Sequence, residues 1–269
     1  MTTGSVQYLF ESASESAELS RLRALEAVFD PASRRHLLST GAWSGRHCLE
    51  VGAGAGSIAA WMQAQVGPSG RVVALDHNVR FLQQLPREVE VIESDVRELS
   101  PPARLFDVVH TRYVLIHNAD SGGVLDALLN CLKPGGWLLL EEPDFGEASA
   151  LLGAEPLSEA FERVARAVLA TFKERGMDPR FGVRLPALLE ARGLEMVALE
   201  RDSHLERGTS ALSAMMRLST LQLAEKYLAT GLASAADIEG YAHFASHPGC
   251  WAIYYATFRA LCQKPLASD

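Results

Sequence analysis

The chain has 269 residues, of which 48% are hydrophobic, and a formal net charge of −8 at pH 7. This length and content suffice for one α/β core with added helices. The negative charge repels phosphate backbones and anionic lipid surfaces, so we expect neither nucleic acid nor a membrane as partner. Scattered cysteines without a C-x-x-C pair, and the lack of a signal-peptide pattern or bilayer-length apolar run, favour a cytoplasmic protein.

Two helices are predicted first, at residues 13–29 and 32–40, where apolar residues recur at helical spacing. Asp30 and Pro31 divide them, because Asp is a common helix cap and Pro a common first helical residue. We assign residues 1–45 to an N-terminal helical cap.

From residue 47 the pattern alternates between short apolar runs and helical segments. Strands separated by helices pair in parallel through right-handed crossovers, which predicts an α/β fold with a doubly wound, mostly parallel seven-stranded sheet and helices on both faces. The predicted strands are 47–51, 72–75, 89–92, 106–110 and 137–141, and the helices between them are 57–65, 79–85 and 124–132.

After Pro143 the rhythm changes to longer helical segments. The predicted helices are 157–174, 185–192, 210–229 and 235–245, with strands at 195–199 and 251–258. No Pro/Gly-rich linker separates them from the sheet. We therefore expect one domain over 46–269, with lid helices inserted at about 146–180 and 205–248.

A glycine-rich loop joins the first strand to the next helix, in the run Glu50-Val51-Gly52-Ala53-Gly54-Ala55-Gly56-Ser57. Alternating glycines let the backbone turn without a Cβ, so that a ligand rests against the main chain and a helix N-terminus. With Asp76 at the end of the next strand, the spacing also fits a dinucleotide fingerprint. The glycines alone leave both cofactor classes open.

Other features favour a cationic cofactor. Glu50 would repel the pyrophosphate of a dinucleotide, whereas a sulfonium with an amino-acid tail suffers no such repulsion. Asp95 follows the third strand, where its carboxylate can accept a hydrogen bond from an adenine amino group. The chain also lacks the Tyr-x-x-x-Lys pair of one common hydride-transfer apparatus.

Five ordered motifs resemble those of the Rossmann-like S-adenosylmethionine-dependent methyltransferases. They are Glu50-Val51-Gly52-Ala53-Gly54-Ala55-Gly56, Ala74-Leu75-Asp76, Ser94-Asp95-Val96, Phe106-Asp107-Val108-Val109-His110 and Leu132-Lys133-Pro134-Gly135-Gly136. The resemblance covers roughly residues 46–143, and the N-terminal region resembles more weakly a microbial subgroup that acts on small metabolites.

This resemblance implies S-adenosyl-L-methionine as cofactor, with its methionine moiety near Glu50, its ribose on Asp76, and its adenine between His77 and Asp95-Val96. In the subgroup the N-terminal helices cap the cofactor, which would bring Tyr8 and Arg23 to the methionine carboxylate. The expected cofactor residues are Tyr8, Arg23, Glu50, Gly52, Ala53, Gly54, Gly56, Ser57, Asp76, His77, Ser94, Asp95, Val96, Thr111 and Arg112.

Catalytic candidates follow the fourth and fifth strands. His117 is either a base that deprotonates the acceptor or a histidine that bonds a backbone carbonyl. Asp144 is either a polar contact to the substrate or a turn residue. Tyr113 follows the fourth strand and is a substrate candidate, whereas Tyr241 and Tyr254 belong to an aromatic cluster that either lines the substrate pocket or packs the core.

We therefore expect transfer of a methyl group to an oxygen or nitrogen of a small-molecule, secondary-metabolite acceptor, without a metal and in a candidate homodimer. A nucleic-acid base methyltransferase is an alternative that the net charge opposes. A nucleotide-binding protein without catalysis, or a nicotinamide enzyme, is the other.

Overall fold

The computed structural model describes residues 9–10, 14–99 and 105–266. Across these residues the strands are β1 (His47–Val51), β2 (Arg71–Asp76), β3 (Val89–Glu93), β4 (Phe106–Arg112), β5 (Leu132–Asp144), β6 (Ser149–Leu152), β7 (Glu195–Arg207) and β8 (Trp251–Gln263). The α-helices are α1 (Glu15–Leu38), α2 (Ser57–Val66), α3 (Ser121–Cys131), α4 (Glu155–Glu174), α5 (Leu185–Glu190), α6 (Ala211–Gln222), α7 (Ala224–Ala229) and α8 (Ala235–Phe244).

The chain divides into two compact units. One, which we call the sheet unit, comprises Phe29–Glu142, Val183–Glu200 and Phe258–Asp269. The other, which we call the helical unit, comprises Met1–Val28, Pro143–Gly182 and Arg201–Thr257. The cap over 1–45 and the lid insertions expected from the sequence stay predictions.

In the sheet unit the strands follow the order β3-β2-β1-β4-β5-β8, and β7 also pairs with β8. The pairs β1–β2, β1–β4, β2–β3 and β4–β5 are all parallel. The doubly wound α/β class predicted from the sequence is therefore confirmed. The strand order reverses between β1 and β4, and such a reversal opens a ligand crevice beyond the carboxyl ends of the strands.

The core of the sheet unit lies between these central strands and the helices that connect them. Helix α2 buries Ile58, Ala59 and Met62 against strand residues such as Cys48 and Val72. Each fully buried large side chain contributes about 1.5–3 kcal/mol relative to exposure. The first turn of α2, which follows the glycine loop, is therefore packed firmly against the sheet.

The helical unit has an aromatic core of its own. Phe161 of α4 stacks on Tyr241 of α8, with ring centroids 5.1 Å apart, and meets the Tyr254 ring at 5.4 Å. Gly240 permits this close approach, because a Cβ there would lie 2.7 Å from the Ala160 Cβ. Strand β6 pairs antiparallel with the first residues of β8.

One prediction about the N-terminal helices is wrong. Helix α1 is continuous across Asp30 and Pro31 instead of breaking there. The Asp30 carboxylate accepts hydrogen bonds from Arg34 and Arg112 and does not cap a second helix. Proline removes only one N–H from the helix ladder, so tertiary contacts can hold the helix through it.

The ends of other elements also differ from prediction. Residues Val79–Gln84 form a 3-10 helix, in which the Asn78 side chain accepts the Arg80 N–H. The described residues form eight strands where seven were predicted. The predicted last strand ended at Phe258, before the charged Arg259. Strand β8 continues past this point, because ion pairs neutralise the charge of Arg259.

No helix among the described residues combines the length and the apolar character that crossing a bilayer requires. All four cysteines are buried and free. Burial raises the pKa of the Cys48 thiol to about 12, so this cysteine is packed as a small hydrophobic side chain.

Candidate active site

The glycine loop follows β1, beside the reversal of strand order. Gly52, Gly54 and Gly56 have φ values of +71°, +58° and +88°, a region that favours glycine. A Cβ on Gly52 would lie 2.2 Å from Val114 Cγ2, and one on Gly56 would lie 2.8 Å from Leu85 Cδ2. The loop therefore needs glycine for its own packing as well as for its backbone conformation.

Asp76, at the end of β2, is hydrogen bonded directly to this loop. Its Oδ2 accepts the Gly54 N–H at 2.9 Å, and its Oδ1 accepts the Asn78 N–H at 3.0 Å. Burial raises the pKa of the carboxyl, against the effect of these hydrogen bonds and of the neighbouring His77. A carboxylate has about four acceptor positions, so beside the backbone N–H groups of Gly54, Asn78 and His77, Asp76 retains capacity for a ligand.

The end of β3 meets the end of β2. The Ser94 N–H donates to the Asp76 carbonyl at 3.1 Å, which brings these two predicted cofactor residues together. The Asp95 carboxylate binds Arg97, whose hydrogen bond lowers the Asp95 pKa, while Val96 is buried. His77 is exposed beside Asp76, with its Nδ1 3.2 Å from Oδ1.

A buried histidine links three central strands. His110 of β4 has its Nδ1 2.6 Å from Glu50 Oε2 of β1 and its Nε2 2.8 Å from Glu141 Oε1 of β5. Burial lowers the pKa of His110, but the charge of Glu50 and the hydrogen bonds to both carboxylates outweigh burial and raise it to about 9. Burial also raises the pKa of Glu50, which the charge of His110 opposes.

Further ion pairs surround this bridge within the sheet unit. Glu141 also accepts hydrogen bonds from Ser33 Oγ at 2.5 Å and Arg259 Nε at 2.8 Å. Against the effect of burial, the hydrogen bond and charge of His110, together with the charges of Arg112 and Arg259, lower the Glu141 pKa to about 2. Arg112 pairs with Asp30 at 3.0 Å. In the described ranges no set of three His, Cys, Asp or Glu residues is arranged to hold a metal ion.

Glu142 fixes the segment that follows β4. Its carboxylate accepts the backbone N–H groups of Val114, Leu115 and Ile116 at 2.8–3.0 Å. Burial raises the pKa of Glu142 to about 8, against these three hydrogen bonds. Tyr113, just before them, has φ +57°, which is uncommon for a residue with a side chain and recurs at functional sites.

The other predicted residues lie in varied surroundings. Thr111 is fully buried, and Arg112 is ion-paired inside the sheet unit, so a cofactor contact for either stays a prediction. Tyr8 lies outside the described residues. In the helical unit Arg23 pairs with Glu26 at 2.8 Å.

Three substrate candidates also belong to the helical unit. Asp144 is buried, accepts the Gly146 N–H at 2.8 Å and pairs with Arg180 at 3.3 Å. Tyr241 and Tyr254 are 3% and 1% exposed within the aromatic core, so the structure uses both rings for packing. Contact of these residues with a substrate stays a prediction.

Sequence reasoning missed the bridge and the glutamate that fixes the loop. A signal was present, since His110, Glu141 and Glu142 interrupt or end otherwise apolar strands. Glu50 and His110 also occupy facing positions of β1 and β4. That register is a tertiary property which the sequence alone does not display.

A family model described as a methyltransferase domain matches residues 21–199. The chain belongs to the methyltransferase-domain family. This match includes the glycine loop, Asp76 and the buried bridge, so the predicted family resemblance is confirmed.

Curated relatives of this methyltransferase-domain protein match over part of their length. "Methyltransferase str2" of Strobilurus tenacellus is 35% identical over 144 residues, which are 53% of this chain and 51% of the relative. "Methyltransferase str3" of the same organism is 33% identical over 145 residues, or 53% and 50%. The chain thus spans about half the length of the curated relatives it matches.

Solved structures share the fold at low identity. The mycolic acid cyclopropane synthase CmaA1, crystallised with S-adenosylhomocysteine, has a TM-score of 0.57 and 17% identity, covering 94% of this chain and 96% of that one. Identity at this level shows the fold alone. The methyltransferase-domain protein thus has the Rossmann-like architecture of S-adenosylmethionine-dependent methyltransferases.

The packing of Gly52 on Val114 gives a testable prediction. Gly193 has a similar φ of +70° and open space where a Cβ would stand. We expect Gly193→Ala to lower the free energy of unfolding by about 1–2 kcal/mol, the cost of a positive φ for a residue with a side chain. Gly52→Ala should cost about 1–3 kcal/mol more, because Val114 must move. Equal losses in urea denaturation would show that the contact with Val114 contributes nothing.

Proposed function

We propose that this protein transfers a methyl group from S-adenosylmethionine to a small-molecule acceptor. The observation that supports this most is the hydrogen bond from Gly54 to the Asp76 carboxylate. It joins the glycine loop to an acidic strand end, beside the reversal of strand order where α/β folds bind nucleotides. Family membership supplies the reaction class.

The polar groups of the described residues suit the chemistry of the cofactor. Asp76 has spare acceptor capacity for ribose hydroxyls, and the exposed His77 and the Ser94–Val96 segment stand at the neighbouring strand ends for the adenine. Glu50 supplies a carboxylate for the ammonium group of the amino-acid end. When bound, the cofactor supplies a methyl group on a sulfonium that is already activated for displacement.

The acceptor in this proposal is an oxygen or nitrogen of a small secondary metabolite. The net charge of −8 disfavours a nucleic-acid substrate. The fold alone does not fix the reaction, since the [4+2]-cyclase SpnF has a TM-score of 0.51 and 17% identity to this chain, covering 90% of it and 81% of SpnF.

Within this proposal His117 is the base and Asp144 a polar contact. His117 ends the 3-10 turn Leu115–His117, in which the N–H groups of Leu115 and Ile116 donate to Glu142. Tyr113, at the start of the same segment, is proposed to contact the substrate, as are Asp144, Tyr241 and Tyr254. Reaction requires the nucleophile to be held near the methyl carbon and water to be excluded.

Two experiments test the proposal. Calorimetric titration should show micromolar binding of S-adenosylhomocysteine and no binding of NADH; the reverse would favour a nicotinamide enzyme. Incubating the protein with methyl-deuterated S-adenosylmethionine and metabolite extract of the producing cell should label at least one small molecule. Binding without any labelled product would favour a protein that binds the cofactor without methyl transfer.

We expect Asp76→Ala to weaken S-adenosylhomocysteine binding by about 1–3 kcal/mol, through lost charge-assisted bonds to the ribose. Asp107→Ala is a matched control, because Asp107 likewise accepts a backbone N–H and pairs with a cation but lies near the amino end of β4. The control should change stability and leave affinity unaltered. An unchanged affinity in Asp76→Ala would contradict the ribose assignment.

For His117 we expect the replacement by alanine to reduce turnover of the identified acceptor about 10²–10⁴-fold at neutral pH. The deficit should shrink at alkaline pH, where the acceptor loses its proton unaided. His204→Ala removes an exposed histidine of the helical unit and serves as control. If His117→Ala matches the parent at both pH values, His117 is not the base.

A further inference from the structure

We propose that His110 is a positioning residue for the amino-acid end of the cofactor, because it fixes the Glu50 carboxylate through its Nδ1–H and is itself anchored on Glu141 through its Nε2–H. The inference rests on the proposed function and deepens it. It assigns to His110 a role in the affinity for one part of the cofactor.

The imidazole ring of His110 carries a positive charge. Both ring nitrogens lie within hydrogen-bond distance of carboxylate oxygens, at 2.6 and 2.8 Å. An ionised carboxylate only accepts hydrogen bonds, so a ring between two of them must donate from both nitrogens. His110 is then an imidazolium, and with 0% exposure it has no contact with solvent.

The two carboxylates are used differently. Glu141 accepts bonds from Ser33 and Arg259 in addition to His110, which makes it a rigid anchor. Across the described residues the Glu50 carboxylate accepts one side-chain hydrogen bond, from His110 to its Oε2. Its Oε1 therefore retains acceptor capacity for a ligand cation.

The position of Glu50 directs this capacity to the ligand crevice. Glu50 is the second-last residue of β1, and the glycine loop begins two residues later at Gly52. β1 and β4 are the two strands between which the strand order reverses. His110 thus joins these strands by a side-chain bond directly beneath the crevice.

Loss of the bond from Nδ1 changes Glu50 in two ways. The carboxylate becomes free to rotate, and burial favours its protonated form more strongly, because the hydrogen bond that opposed burial is gone while the charge of Arg112 remains. A protonated or rotated Glu50 attracts an ammonium group less. The affinity for the ribose and the adenine is unaffected, because Asp76 and the β3 end hold those groups.

Two substitutions separate positioning from structural support. In His110→Asn the amide nitrogen stands near the place of Nδ1 and can still donate to Glu50. In His110→Gln the amide nitrogen stands near the place of Nε2, so the bond to Glu141 is kept and the bond to Glu50 is lost. Each variant removes one charge and keeps one hydrogen bond.

The probes are S-adenosylhomocysteine and 5′-methylthioadenosine, which lacks the amino-acid end. We expect His110→Gln to raise the Kd for S-adenosylhomocysteine at least about tenfold and His110→Asn to raise it less than about threefold. The Kd for 5′-methylthioadenosine should stay at the parent value in both variants. Equal losses in the two variants, or parallel losses for the two ligands, would overturn the inference.

A measurement on the parent protein tests the positioning role of His110 even if a variant does not fold. In ¹⁵N-histidine spectra, S-adenosylhomocysteine should shift the His110 Nδ1 resonance more than Nε2, and 5′-methylthioadenosine should shift neither. Equal shifts from the two ligands would contradict the positioning role. If the parent protein binds neither ligand, the proposed function itself fails. If it binds S-adenosylhomocysteine without a larger shift at His110 Nδ1, only the positioning role fails.

Discussion

The sheet depends on one imidazolium that bonds two buried carboxylates, while Arg259 supplies a second positive charge to Glu141. Glu50 and Glu141 stand on β1 and β5, and His110 on the strand between them bonds to both. A buried carboxylate without a partner costs several kcal/mol, so each strand needs the others in register. Ser33 and Arg259 add further bonds to Glu141 and thus tie α1 and β8 to the same centre.

Around this centre, carboxylates at the carboxyl ends of the strands accept hydrogen bonds from the backbone N–H groups of loops. Asp76 accepts the Gly54 N–H, and Glu142 accepts three successive N–H groups after β4. Carboxylates that receive backbone N–H groups order a loop without the entropy cost of long side chains. The glycine loop and the Tyr113–His117 segment are therefore held by hydrogen bonds within the protein, as the proposed methyl-transfer site requires.

Local patterns predicted much of this structure. The alternation of strands and helices predicted parallel pairing. The spacing from the glycine loop to Asp76 predicted two parts of one site, and the structure joins them by a hydrogen bond. Charge inside apolar strands misled the prediction, since Arg259 reads as a strand end although Glu141 and Glu200 neutralise it. Pro31 likewise reads as a helix boundary, yet contacts from Asp30 to Arg34 and Arg112 hold α1 together. Glu141 for Arg259 and Arg112 for Asp30 are partners distant in sequence, which no local pattern contains.

The protonation state of His110 tests the central claim most directly. In protein labelled with ¹⁵N at histidine, with His110 assigned by comparison with a His110→Gln sample, both ring nitrogens should show the shifts of protonated imidazolium at pH 7. Because the paired carboxylates raise the pKa of His110 to about 9, this signature should persist until the pH approaches that value. A neutral single tautomer at pH 7 would show that no imidazolium joins Glu50 to Glu141, and would contradict the account.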